Sequence, residues 1–109
     1  MTQYRRGRQA EYWGIAQLKE DGYHTVIRAA GSKGIFDLVA VGEHNVKFLQ
    51  VKRVKGKHIP SYEKDLAAMR EVPPMPPPCH MELWIFSDHR KAWIVVPVND
   101  GGEDESGGE

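Results

Sequence analysis

Ile35-Phe-Asp-Leu-Val-Ala-Val-Gly-Glu-His-Asn-Val-Lys-Phe-Leu-Gln-Val-Lys-Arg53 is an apolar run, a turn and an alternating return. The run over residues 35–41 is apolar except at Asp37, and Gly42-Glu-His-Asn45 has turn composition. Residues 46–53 alternate and read as the returning strand. A four-residue loop then sets Val41 opposite Val46, Val39 opposite Phe48 and Asp37 opposite Gln50. Gln50 and Lys52 are two apart and share a face. Asp37, Gln50 and Lys52 therefore converge at one end of the hairpin, with Val39, Val41, Val46 and Phe48 as its apolar remainder. Any even loop length preserves this facing and only slides the register.

Before the hairpin, residues 6–21 read as a helix. Glu11, Ile15 and Leu18 lie on one stripe, with Ala10, Gly14 and Gln17 alongside, and Gly22 is placed to stop it. Residues 24–30 read as a strand around Val26 and Ile27, and Gly31-Ser-Lys-Gly34 as a loop. After the hairpin, Lys55-Gly-Lys57 is a basic loop. Pro60 and Ser61 open a second helix running to about residue 71, with Tyr62, Leu66 and Met69 toward one side. Val72-Pro-Pro-Met-Pro-Pro-Pro78 breaks that helix and reads as a stiff connector, with a ligand for a proline-binding module as the alternative. Residues 80–87 and 91–98 form a final hairpin turned at Asp88-His-Arg90, with Trp84 and Trp93 packed on the sheet. The expected class is α/β: one domain over residues 1–99, with a mixed central five-stranded sheet flanked by helices in the order α-β-β-β-α-β-β. Residues 100–109 are an acidic, glycine-rich tail expected to be disordered.

A chain of 109 residues with 40% apolar residues suits one small domain and excludes a multidomain enzyme or a membrane channel. The formal charge of zero hides a gradient. The tail carries Asp100, Glu103, Asp104, Glu105 and Glu109, which leaves +5 on the preceding residues. Residues 1–58 carry +6, which invites a polyanionic partner. A single cysteine, Cys79, allows neither an internal disulfide nor a multi-cysteine zinc site, and fits a reducing, cytoplasmic setting. No apolar run approaches the length needed to span a bilayer.

Asp37 is the first chemical anomaly, because an unpaired charge in an apolar run costs several kcal/mol unless a cation or donors compensate it. Its bland explanation is an aspartate at a strand mouth bonded to loop amides. Glu11 lies on the buried stripe of the first helix; its bland explanation is the helix dipole. If that helix packs over the hairpin, Glu11 approaches Asp37. Two carboxylates beside the Gln50 carboxamide form a hard-oxygen set suited to Mg²⁺ or Mn²⁺. Lys52 beside them is placed to stabilise charge on a phosphoryl group or to help position water.

Gly7-Arg-Gln-Ala-Glu11, Gly22-Tyr23, Ile27-Arg28, Gly31-Ser32, Phe36-Asp-Leu-Val-Ala40 and Gln50-Val-Lys52, in that order, resemble the PD-(D/E)XK nuclease superfamily. Within it the chain is similar to the archaeal-type Holliday junction resolvases, which also occur in viruses. The resemblance covers roughly residues 5–57, about half the chain. It implies a restriction-endonuclease-like fold and a homodimeric, Mg²⁺-dependent endonuclease, with Mn²⁺ as a substitute, that nicks four-way DNA junctions in recombination and repair. Glu11 would complete the metal site, Asp37 would be a direct ligand, Lys52 would be the motif lysine and Ser32 would sit near the scissile phosphate. Gln50 and the Val51 carbonyl would fill the ligand set. Arg28 and the basic N-terminal residues would contact the DNA backbone. The departure is Gln50, where this group ordinarily has an acid; Gln-X-Lys occurs in restriction-type relatives. The carboxamide keeps an oxygen donor but removes one negative charge.

Arg5, Arg6, Arg8, Arg28, Lys33, Arg53, Lys55 and Lys57 flank these motifs and would hold phosphates without reading bases. The second helix, with Tyr62, Leu66 and Met69, is a candidate for the dimer surface or for the core. His24, His44, His58, His80 and His89 lack zinc-motif spacing and read as surface residues. Two rival functions remain open. One is a restriction- or repair-type nuclease acting on other duplex or branched DNA. The other is a DNA-binding module weakened catalytically by Gln50.

Overall fold

A computed structural model describes residues 3–29 and 34–98. The elements are α1 (Gln3–Glu20), β1 (Thr25–Arg28), β2 (Leu38–Val41), β3 (Val46–Val54), α2 (Glu63–Arg70), β4 (Cys79–Ser87) and β5 (Ala92–Val98). The strands form one sheet in the order β1-β2-β3-β4-β5, antiparallel except for the parallel β3–β4 pair. A parallel pair needs a long crossover, and the segment holding α2 and the prolines supplies it. The observed class and element order are those expected. Ser32, Lys33 and the acidic tail lie outside the described residues.

The end of α1 follows from its sequence. Gly22 adopts φ +106°, its N–H donates to the Lys19 carbonyl at 3.1 Å, and the Tyr23 N–H donates to the Leu18 carbonyl at 3.1 Å. That pair of bonds is a Schellman cap, and its usual apolar contact is present because Leu18 and Tyr23 share a core cluster. Along α1, Ala10, Gly14 and Leu18 are buried. A Cβ on Gly14 would lie 3.2 Å from Leu38 Cδ1, so glycine lets the helix approach the sheet closely.

The central hairpin pairs Leu38 with Leu49, Val39 with Phe48, Ala40 with Lys47 and Val41 with Val46, the register anticipated from loop length. Its loop is closed by the Gly42 N–H on the Asn45 carbonyl at 2.8 Å. The sheet has an apolar core on each face. Leu38, Ala40, Leu49, Val51 and Trp84 pack with Ala10, Leu18 and Tyr23 under α1. Met81, Leu83, Ile85 and Val98 pack with Leu66 and Met69 of α2, and Phe48 joins them.

One expectation is corrected by this arrangement. Phe48, Gln50 and Lys52 share a face, but it is the α2 face; α1 covers the opposite one, built on Leu38, Ala40, Leu49 and Val51. Both faces of the hairpin are apolar, so both needed a helix. Of the two roles open to the second helix's apolar residues, Leu66 and Met69 take the core one, at 8% and 0% exposure.

Candidate functional site

β2 begins one residue after Asp37, and the chain at that point is not a straight continuation of the strand. The Asp37 N–H donates to the Leu49 carbonyl at 2.7 Å, although Leu49 is the ladder partner of Leu38. Two successive residues thus face one on β3, the count of a β-bulge, which re-aims a side chain. The Asp37 Oδ2 accepts the Val51 N–H at 2.8 Å. Asp37 therefore brackets Gln50, bonded through its backbone to the residue before and through its side chain to the residue after. Because a strand residue's N–H and C=O point to the same edge, this bond also turns the Val51 carbonyl toward the mouth of β2.

Burial pushes the Asp37 carboxyl above its ordinary value. The Val51 amide opposes that shift, the charge of Glu11 adds to it, and Lys52 and Arg28 oppose it without cancelling it. Glu11 reaches the margin of the sheet from the α1 side. Arg28 Nε donates to Glu11 Oε1 at 2.7 Å, and its guanidinium lies 5.0 Å from the Tyr12 ring centroid. Arg28 in turn is the ladder partner of Leu38, next to Asp37. Glu11 thus enters the neighbourhood of Asp37 through β1, not by lying over the Gln50 face.

Gln50 Oε1 is buried and has no hydrogen-bond partner among the described residues. A buried amide oxygen left without a donor costs free energy, about 1–3 kcal/mol, and identifies an acceptor position that a ligand can fill. Lys52 does not fill it: its Nζ lies 3.2 Å from Asp65 Oδ1 on α2. Among the described residues no three His, Cys, Asp or Glu side chains gather to hold a metal. The anticipated donor set contains only two such side chains, Glu11 and Asp37, completed by the Gln50 carboxamide and the Val51 carbonyl.

The basic residues divide into two groups. Arg53 is internal: Nε donates to Asp88 Oδ1 at 2.7 Å, Nη1 donates to the Arg6 carbonyl and to Gln9 Oε1, and the guanidinium stacks 4.8 Å from the Trp13 ring centroid. Arg6 Nη2 meets the other oxygen of Asp88 at 2.9 Å. These two cations, with Arg28, hold the fold and the site together. Lys55 and Lys57 are exposed on the loop after β3, and Arg5 and Arg8 are exposed on α1. The five histidines are all exposed.

Sequence reasoning missed Asp65 and Asp88. Asp65 had a readable signal, since residues 62, 65, 66 and 69 recur at helical spacing and place it on the stripe of Tyr62, Leu66 and Met69. Asp88 had none, because an acid in a turn looks like any turn residue. No protein-family model matches the chain, and no similar curated protein was found.

Proposed function

We propose that the chain is a metal-dependent endodeoxyribonuclease of the PD-(D/E)XK type, acting as a Holliday junction resolvase on four-way DNA as a homodimer. One observation carries the reading. A carboxylate in a mostly apolar run, Asp37, is bulged into a position bracketing Gln50, within electrostatic range of Glu11 and Lys52, while the buried Gln50 Oε1 has no partner among the described residues.

In donor chemistry the residues suit a hard divalent cation. Glu11 and Asp37 supply charge, and Gln50 Oε1 and the Val51 carbonyl supply neutral oxygens. A bound Mg²⁺ or Mn²⁺ supplies Lewis acidity toward the phosphodiester. The protein's own groups do the rest. The Val51 amide fixes the Asp37 carboxylate and Arg28 fixes that of Glu11. Lys52 carries a positive charge to the same neighbourhood, where it offsets charge developing on the phosphoryl oxygens. Exposed Arg5, Arg8, Lys55 and Lys57 hold the DNA backbone. Ser32 and Lys33 remain the loop residues assigned to the phosphate.

The test is a synthetic four-way junction and a linear duplex of the same sequence, each with Mg²⁺ and with chelator. Paired, symmetric nicks in the junction with Mg²⁺ alone are expected. Cleavage of duplex at similar rates would move the reading to a restriction- or repair-type nuclease. Tight junction binding with no cleavage, repaired by Gln50→Glu, would make the chain a weakened DNA-binding module.

A further inference from the structure

Lys52 presents a problem of competition. A lysine ammonium is itself a cation, and it sits two residues from Gln50 on the same strand face. A flexible four-carbon stem lets it reach any acceptor nearby. Yet the buried Gln50 Oε1 has no donor among the described residues, and Asp37 spends Oδ2 on the Val51 amide. The Lys52 ammonium instead closes on Asp65 Oδ1 at 3.2 Å, and both side chains are largely withdrawn from solvent, at 34% and 28% exposure.

α2 is built to present that carboxylate. Asp65 lies in the first helical turn, where the helix dipole favours an anion. Leu66 beside it and Met69 one turn on are buried in the core, which anchors the helix. The helix starts from Tyr62 in the left-handed region, φ 55° and ψ 35°, a conformation that bulky residues rarely adopt. The Leu66 N–H closes that first turn on the Tyr62 carbonyl at 2.9 Å. The local backbone therefore tolerates strain at the point that sets where α2 begins and what its first turn faces.

We propose that Asp65 is a positioning residue: it draws the Lys52 ammonium onto α2 and so reserves the oxygens of Gln50 and Asp37 for a divalent cation. This inference rests on the metal-dependent reading above. Without the Asp65 carboxylate, Lys52 swings to the acceptors and acts as an internal competitor for the cation. Asp65 touches neither the cation nor the DNA; it acts through Lys52.

The experiment is a double-mutant cycle on the full chain without DNA, read as Mn²⁺ affinity by calorimetry. Asp65→Asn is expected to weaken Mn²⁺ binding at least tenfold while melting temperature stays within a few degrees of wild type. Asp65→Glu, which keeps the ion pair, is expected to bind as wild type does. Lys52→Met is expected to strengthen Mn²⁺ binding at least tenfold more in the Asp65→Asn background than in wild type. That non-additivity separates competition by Lys52 from the simple loss of one negative charge. Equal affinities for wild type and Asp65→Asn, or strictly additive effects, would overturn the role of Asp65 and leave the nuclease reading standing. Absence of Mn²⁺ binding by the wild-type chain would remove both.

Discussion

Asp37 is costly to the fold. Its carboxyl is partly desolvated, faces the charge of Glu11, and is raised above its ordinary value by burial. An acid whose native pKa is raised is destabilising when ionised, so the native state gains if the charge is removed. Asp37→Asn keeps an oxygen to accept the Val51 N–H and removes that charge. Its melting temperature is expected to equal or exceed that of wild type in scanning calorimetry, while junction cleavage falls by about a thousandfold or more and junction binding persists. A lower melting temperature with loss of binding would make Asp37 structural. Asp88 has the opposite sign. Hydrogen bonds from Arg53 and Arg6 hold its carboxyl below the ordinary carboxylate value, so its contribution is complete above the unfolded value of about 4 and is lost as pH falls through the lowered native value. Asp88→Asn is therefore expected to cost about 1–2 kcal/mol at pH 7, and the gap to wild type in urea titrations should close as pH drops below 4. The two aspartates differ in legibility for a physical reason. Asp37 violated an apolar pattern and could be seen in the sequence; Asp88 sits in a polar turn, and only the folded chain shows that two arginines from distant elements meet on it.

The elements were readable where one periodicity decided them. The hairpin register came from a period of two and a four-residue loop, and β2 and β3 pair accordingly. The stop at Gly22 came from the conformational freedom that a left-handed cap requires, and Gly22 takes φ +106°. Gly22→Ala is expected to cost about 1 kcal/mol by urea unfolding, since the alanine Cβ has open space but an unfavourable backbone. Which face α1 covers was not readable. The sequence stripe of Glu11, Ile15 and Leu18, with Ala10 and Gly14 alongside, says that α1 packs on something; the residues that become buried are Ala10, Gly14 and Leu18, with Glu11 and Ile15 half-buried at the margin, and the hairpin offers apolar residues on both faces. The choice is made by shape: Gly14 lets α1 settle against Leu38, and α2 takes the side of Phe48. Gly14→Val tests this, because its side chain would push on Leu38 and on the Trp93 ring; a loss of about 1–3 kcal/mol is expected. The β-bulge at Asp37 was also hidden. A strict alternation would have carried β2 back to Ile35, but Ile35 and Phe36 pack with the α2-side core while Asp37 turns to the backbone of β3.

At the scale of the whole molecule, charge count and charge availability are different quantities. Residues 1–58 carry a net +6, which reads as an extended phosphate-binding surface. At least five of those cations are held in ion pairs: Arg6 and Arg53 with Asp88, Arg28 with Glu11, Lys47 with Glu82 and Lys52 with Asp65. Arg53 in particular is 12% exposed and ties α1, β3 and the turn after β4 into one unit. Lys55 and Lys57, by contrast, are exposed on the loop that continues the Lys52 strand. Substitution should therefore separate binding from stability. The double change Lys55→Gln and Lys57→Gln is expected to leave the melting temperature unchanged and to weaken junction binding. It should also reduce the slope of log affinity against log salt by about 1–2, as the loss of one or two phosphate contacts requires. Arg53→Gln is expected to do the reverse. It leaves Asp88 with Arg6 alone, takes the Arg53 donor from Gln9 Oε1 and lowers stability by about 1–3 kcal/mol, while the salt slope of the folded fraction is preserved. If Arg53→Gln lowers the salt slope and the lysine pair does not, the DNA runs over the α1 face instead of the loop after β3, and the geometry of the proposed complex must be turned accordingly.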